Sequence, residues 1–410
     1  MEKVVMVIPT YWSREHSVWK EGDAIYDHPT PLDSNGTLLR TLKSIRILDD
    51  KNFQLMIVAA ATTPEIEKRV EQKVARIVKL AKLDAETILF SGYHLKKIHE
   101  LLQLENKEEF INLLKLSGYS CIRNICVFVP HILGADIAIL IDDDEIFEDP
   151  KFITKATTYI GKKYAGKFVY AVAGYYLNKY NDYHITKPLN KWMSVWGQYK
   201  YMNEAFDKII STEPRLKPTT FVFGGNVVLH RRIWEKVPFD PNVPRGEDID
   251  YLINAKMLKF NFFLDNQLSI KHLPPPKTHP VWMQLRQDIR RFIYERAKIE
   301  SQRVVEGMQK VNIEDFDPYP GYFLRSDLEK RFEKVCRILA EEYKEKGDII
   351  GYEESLKNIE IARKEKIKWE KLDAFQVFCN IQNQWESLMK WTNKREIRIS
   401  IQEILSENIS

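Results

Sequence analysis

The chain has 410 residues, more than a typical single domain, so one large domain with a smaller attachment is the expectation. Its 44% hydrophobic and 29% charged residues suit a folded globular protein and exclude a disordered one. With 62 basic against 58 acidic residues the formal charge is only +4, which excludes a strong overall field for nucleic acid or an anionic membrane.

The four cysteines, Cys121, Cys126, Cys336 and Cys379, have no paired CxxC spacing. Neither a zinc site nor a disulfide scaffold is therefore expected, and a reducing cytoplasm is favoured. The apolar run in "MEKVVMVIPTYW" is too short for a signal peptide, and no run of about 18 apolar residues follows anywhere, so no integral membrane segment is expected.

In chain order, β-branched runs at 4–9, 53–60, 86–90 and 135–141 alternate with amphipathic stretches near 37–48, 64–83, 95–116 and 120–133. Strands and helices alternating at this length predict an α/β fold, a mixed but mostly parallel sheet flanked by helices. From about 165 come short strands in "KFVYAVAGYY" and "TTFVFGGNVVLH", a helix at 248–258, and a strand pair "NFFLD" and "LSIKH". "LPPPKTHP" then stops regular structure, so a boundary falls near 280. Charged amphipathic stretches near 281–310, 325–346 and 352–391 predict a C-terminal helical extension, 281–410.

The densest acid cluster, Asp142, Asp143, Asp144 and Glu145, follows the run "ADIAILI". In α/β sheets ligands bind beyond the carboxyl ends of the strands, which is where these acids fall. Clustered carboxylates repel one another unless a cation sits between them. Strand alternation would put Asp142 and Asp144 on one side, a D-x-D pair of hard oxygen ligands suited to Mg²⁺ or Mn²⁺. A haloacid dehalogenase-type phosphatase needs such a pair early in the chain and Thr or Val where Ile146 stands. A G-x-G-x-x-G dinucleotide loop and a P-loop are both missing.

"VVMVIPTYW", "GTLLRTLKSI", "IRN", "ILIDDDE" and "FGGNVVLHRRIWEKVPFDPNVPRGEDIDYLINA" occur in that order over residues 1–280. Together they resemble GT-A fold glycosyltransferases, especially those of family 2. The resemblance implies a GT-A fold, with a nucleotide-binding half at about 1–145 and an acceptor half at about 146–280. It implies transfer of a sugar from a UDP- or GDP-sugar to a hydroxyl acceptor with Mn²⁺ or Mg²⁺. By the same resemblance Asp142 and Asp144 hold the metal at the donor diphosphate, His272 completes its shell, and Asp143 is an alternative contact to ribose or base. Glu145 is a further ligand or a helix-start acid. Pro9, Thr10 and Tyr11 line the nucleobase pocket, while Arg123 and Asn124 approach the diphosphate and ribose. Gly224, Gly225 and Asn226 let backbone approach the sugar. Asp248 is the base that takes the acceptor's proton, with Glu247 its neighbour. The family's Asp after the second strand is replaced by "IVAAATTPE", where Thr62 and Thr63 can hydrogen-bond, so a GDP-sugar stands beside a UDP-sugar as donor.

Trp192, Trp196 and Tyr199 read first as core packing under a long loop, with an acceptor platform as the alternative. The loop "YDHPTPLD", 26–33, is too polar and proline-rich for a buried element and reads as a lid. Arg286, Arg290 and Arg291 lie on or near one helix face, which reads by default as a solvated basic face and alternatively as a contact to an anionic acceptor such as a carboxylate or phosphate. Two further readings stand beside the inverting transferase: a retaining synthase of a small solute such as mannosylglycerate or glucosylglycerate, and an inactive sugar-nucleotide-binding protein. A nucleotidyltransferase would need a glycine-rich basic loop that "PTYWSREHS" lacks.

Overall fold

The computed structural model describes residues 2–186, 190–277 and 279–407. Four strands, β1 Val4–Ser13, β2 Gln54–Ala61, β3 Thr87–Phe90 and β4 Ile137–Ile141, fall where the apolar runs predict them. Four more follow: β5 Ala171–Leu177, β6 Leu216–Pro218, β7 Asn226–His230 and β8 Phe262–His272. They lie in one sheet in the order β6-β8-β5-β7-β4-β1-β2-β3. β1 is parallel to both β2 and β4, β2 to β3, and β5 to β8, whereas β7 runs antiparallel to β4 and β5, and β6 to β8. The sheet is thus mixed and mostly parallel, with helices on both faces.

Alternation along β1 divides the core. Val5, Val7 and Tyr11 join one buried cluster, while Met6, Ile8 and Trp12 join the other. The second face is covered by α1, Leu38–Ser44, and α2, Glu67–Ala81, through Leu38, Leu42, Val70 and Val74. The first face carries α3, Gly92–Leu104, and α4, Tyr119–Ile132. Two short helices, α5 Lys191–Trp196 and α6 Gln198–Ile209, precede β6, and α7, Glu247–Met257, follows β7.

The C-terminal region is helical: α8 Val281–Glu300, α9 Leu328–Glu345, α10 Ile349–Leu372, α11 Ala374–Trp391 and α12 Arg395–Ser406. Two expectations change here. The stretch 352–391 is broken at Asp373, whose φ of 51° ends α10 and whose carboxylate caps α11 by accepting from Gln376 N–H. The "NFFLD" and "LSIKH" pair is one strand, β8, with an irregularity between Leu264 and Ser269. The extension is also more deeply embedded than its charge pattern suggests. One apolar cluster runs from Val5 to Leu405, and α8 buries Asp288, Arg291, Glu295 and Lys298 together with its apolar residues. Among the described residues no helix is long and apolar enough to cross a membrane, and all four cysteines are free and buried.

Candidate active site

A cavity of about 600 Å³ opens where the carboxyl ends of β1 and β4, the turn before β7, the start of α7, the end of β8 and the side of α8 meet. Tyr11, Arg123, Asp142, Asp143, Asp144, Gly224, Glu247, Asp248 and His272 all line it. Residues more than 260 positions apart in sequence therefore share one space.

The acids do not alternate as strand residues. β4 ends at Ile141, and Asp142 begins a turn closed by Glu145 N–H donating to Asp142 O at 3.3 Å. Each carboxylate consequently takes its own direction. Asp142 Oδ1 accepts from Arg123 Nη2 at 2.8 Å. Asp143 turns back under β1 and accepts from Thr10 Oγ1, while its carbonyl accepts from Thr41 Oγ1 at 2.7 Å. Asp144 Oδ1 lies 3.3 Å from His272 Nε2. Glu145 is fully buried and accepts the Asp142 N–H at 3.1 Å. Burial, then the neighbouring acids, pushes Asp143 and Glu145 well above the usual carboxylate range. For Asp144, burial pushes upward as well, but His272 and His28 outweigh it and hold the group below its ordinary value.

The expected metal trio Asp142, Asp144 and His272 is accordingly not assembled. Among the described residues no three His, Cys, Asp or Glu groups stand together as a metal site. Asp142 is committed to Arg123, whereas Asp144 and His272 do converge. Asp144 Oδ1 is buried, and its nearest polar neighbour is the His272 imidazole at 3.3 Å. His272 itself stacks on Tyr176, ring centroids 4.5 Å apart, which fixes its plane. An unpaired carboxylate oxygen beside an imidazole nitrogen fits a divalent cation that takes its remaining ligands from substrate oxygens.

The second acid pair opens α7. Gly246 takes φ +70°, and Glu247 and Asp248 occupy the first turn, where the helix dipole favours anions. Asp248 Oδ2 accepts from Gly224 N–H at 3.0 Å and Oδ1 from Ile249 N–H at 2.8 Å. Burial raises its pKa, against the pull of Arg291 and Arg123. Glu247 is pushed up to about 7 by burial and then by Asp248, although Arg123 Nε donates to its Oε1 at 3.2 Å. Arg123, 4% exposed, thus joins the acids of the β4 turn to those of α7, and its Nη1 has no partner.

Other expected site residues have structural employment instead. Asn124 is fully buried; its Nδ2 donates to Leu113 O and Phe239 O, and its Oδ1 accepts from Phe239 N–H, so it faces away from the cavity. Asn226 is likewise buried and donates to Tyr175 O and Leu268 O, tying β7 to its neighbours. A Cβ on Gly225 would come within 2.2 Å of Glu145 Oε1 and 2.5 Å of Asp142, so this glycine makes room for the acids and not for a sugar. Gly224 lines the cavity, and a Cβ there would come 2.9 Å from Arg123 Nη2. Pro9 and Thr10 are buried within β1, where the Thr10 hydroxyl donates to Asp143 and accepts from Trp12 Nε1 at 2.9 Å. Thr62 and Thr63 are covered: Ala24 N–H donates to Thr62 O, laying the segment after β1 across the end of β2. That segment is a packed wall at Tyr26, which is wholly buried against Tyr11 and Tyr119 at 4.5 and 5.0 Å.

On the far side, Trp192, Trp196 and Tyr199 all line the cavity, although Trp196 is 2% exposed and stacks on Phe332, so it is chiefly core. Of the three arginines only Arg291 reaches the cavity. Arg286 is bound to Asn358 and Glu354, and Arg290 lies 3.7 Å from Glu365. Several lining residues carry no local sequence signal. Asp27, Arg245 and Asp288 form one: Arg245 donates to both oxygens of Asp27 at 3.0 and 2.9 Å and to Asp288 at 3.0 Å. Tyr176 is another, its hydroxyl accepting from Gly225 N–H at 2.8 Å and lying 3.4 Å from Asp142. Only long-range pairing across β1, α7 and α8 brings these groups together.

No protein-family model matches the chain, and no curated protein does. Among solved structures it is similar to the mannosyltransferase PcManGT from Pyrobaculum calidifontis in complex with GDP-Man and Mn²⁺, at 12% identity over 94% of this chain and 88% of that one, TM-score 0.43. It is also similar to glucosyl-3-phosphoglycerate synthase from Mycobacterium tuberculosis in complex with Mn²⁺ and UDP-glucose, at 10% identity over 70% and 75%, TM-score 0.34. A third is GalNAc-T7 with UDP, GalNAc and Mn²⁺, at 11% identity over 77% and 54%, TM-score 0.38.

Proposed function

We propose that the protein is a GT-A-type glycosyltransferase that moves a sugar from a nucleotide-diphosphate sugar, UDP- or GDP-linked, to a hydroxyl acceptor, with inversion at the anomeric carbon. The observation that carries this reading is a single cavity holding two separate acid sites. One is the unpaired Asp144 oxygen beside His272; the other is Asp248, aimed by Gly224 N–H. Cation binding and proton removal are thereby divided between carboxylates that do not touch.

Asp144 and His272 would hold the divalent cation, Mn²⁺ or Mg²⁺, which when bound supplies Lewis-acid stabilisation of the departing nucleoside diphosphate. Imidazole in the pair favours Mn²⁺. Arg123, buried and charged between Asp142 and Glu247, offers its unpaired Nη1 toward the donor. Tyr11 and Tyr119 line the cavity with aromatic faces, backed by the buried Tyr26. Asp248 takes the proton of the acceptor hydroxyl as that oxygen bonds to the anomeric carbon and the bond to the diphosphate oxygen breaks. Gly224 N–H holds the carboxylate while this happens. Glu247, hydrogen-bonded to Arg123, sits beside the base as its neighbour.

Product NMR of the anomeric proton, using UDP-glucose and GDP-mannose with MnCl₂, tests the reading. Inverted product that disappears in Asp248→Asn supports it. Retained configuration, or undiminished transfer by Asp248→Asn, removes Asp248 as base.

A further inference from the structure

Arg291 comes from α8, in the helical region for which the sequence offers no motif, yet it lines the cavity. Its guanidinium lies directly against Gly246: a Cβ at that position would sit 1.2 Å from Arg291 Nη1. Only glycine leaves this room, and the φ of +70° there disfavours any other residue as well. A cation wedged at the N-terminus of α7 opposes the helix dipole, which favours anions at that end. The residue's own bonds do not repay this. Arg291 Nη2 donates to Tyr319 OH at 2.9 Å, Asp288 stays 3.5 Å from Nε, and Nε has no hydrogen bond although the side chain is 3% exposed. What the position provides is a positive charge one turn of backbone from Asp248.

We infer that Arg291 is a positioning residue for the reaction: packed through Gly246 onto the first turn of α7, it keeps the Asp248 carboxylate ionised in a buried setting so that it can accept a proton. The inference rests on the assignment of Asp248 as base. Burial alone drives a carboxylate toward its neutral form, and a neutral Asp248 accepts nothing. The charged and titratable groups around Asp248 are Glu247 on its own helix, Arg123 from α4 with Asp142 behind it, and Arg291 from α8 with Tyr319, the buried Glu295 and Asp288, and Arg245 behind it; Glu295, itself pushed up to about 8, is the acid whose titration the Asp248→Asn subtraction removes from the signal. Arg123 already serves Asp142 and Glu247 directly. Arg291 is the cation of the set whose nearest carboxylate bond is loose, and Arg291 is the largest influence opposing burial at Asp248. Asp288 accepts from Arg245 at 3.0 Å and Arg291 packs on Gly246, so α8 meets the segment that leads into both acids at two adjacent residues.

The test is an infrared titration of the full chain, with the Asp248→Asn spectrum subtracted to isolate the Asp248 carboxyl band, in wild type, Arg291→Gln and Arg291→Lys. Far-ultraviolet circular dichroism confirms that each variant is folded. The midpoint should rise by about one pH unit or more in Arg291→Gln, and Arg291→Lys, which keeps the charge, should restore at least half of the difference. The acid limb of kcat/KM for transfer from UDP-glucose or GDP-mannose should move the same way, with activity recovering at high pH. An unmoved midpoint in Arg291→Gln, or an equal loss of activity at every pH, overturns the role of Arg291. Undiminished transfer by Asp248→Asn overturns the base assignment instead, and the infrared midpoints still report whether Arg291 governs the carboxyl.

Discussion

Replacing Arg123 by Met tests the electrostatic architecture of the cavity, because the side chain is 4% exposed and hydrogen-bonds two acids from different parts of the chain. Asp142, whose side chain is 25% exposed, can take water in exchange. Glu247, 7% exposed, cannot, and an uncompensated buried charge costs about 3–5 kcal/mol. Glu247 has an escape, since it can keep its proton. Burial places it at about 7 in the folded protein against an ordinary 4.5, so between those values the folded state holds a proton that the unfolded state has lost. Stability from this group is therefore greatest below about 4.5 and falls by roughly 3 kcal/mol as pH rises to 7. Without Arg123, which pulls the value down, the fall continues past pH 7. Urea unfolding monitored by fluorescence should show a modest loss for Arg123→Met at pH 5.5, from side-chain packing, and a loss larger by about 1–3 kcal/mol at pH 8.5. A penalty equal at both values would refute the coupling of Arg123 to Glu247.

Other outcomes follow from the same geometry. Asp248→Asn should lower kcat for transfer by about 10²- to 10⁴-fold while Mn²⁺-dependent nucleotide binding stays within about twofold of wild type, measured by steady-state kinetics and calorimetry. Gly225→Ala forces a methyl into the Glu145 and Asp142 carboxylates and should cost about 1–3 kcal/mol in urea unfolding; an unchanged midpoint would contradict the packing of that turn. Asn226→Ala should destabilise by roughly 1–3 kcal/mol, since its amide bonds two buried carbonyls, yet leave nucleotide affinity near wild type because it faces away from the cavity.

Much of the fold is legible in residue order because its signal is local. The apolar runs at 4–9, 53–60, 86–90 and 135–141 each became a strand, and the period of 64–83 became α2. Of the residues that the motifs single out, Asp144, Asp248 and His272 line one cavity. Residue order misled where a local rule was carried one residue too far. Asp142 to Asp144 continue the strand in sequence, but β4 stops at Ile141, and turn geometry sends the three acids to Arg123, Thr10 and His272. Asn124 and Asn226 are polar residues flanking the motifs, and nothing local separates a ligand-binding amide from one that satisfies buried backbone carbonyls. The burial of α8 carries no local signal for another reason. Its charged residues read as a solvated face, whereas Asp288, Arg291, Glu295 and Lys298 are buried by contacts between distant parts of the chain.

The most direct measurement is calorimetric titration of UDP and GDP into wild type and Asp144→Asn, each with and without MnCl₂. Binding of at least one nucleotide that requires Mn²⁺ in wild type, and weakens by tenfold or more in Asp144→Asn, is the predicted result. Nucleotide binding of equal strength with and without the metal, unchanged by Asp144→Asn, would contradict the proposal that Asp144 and His272 hold a cation against a departing diphosphate.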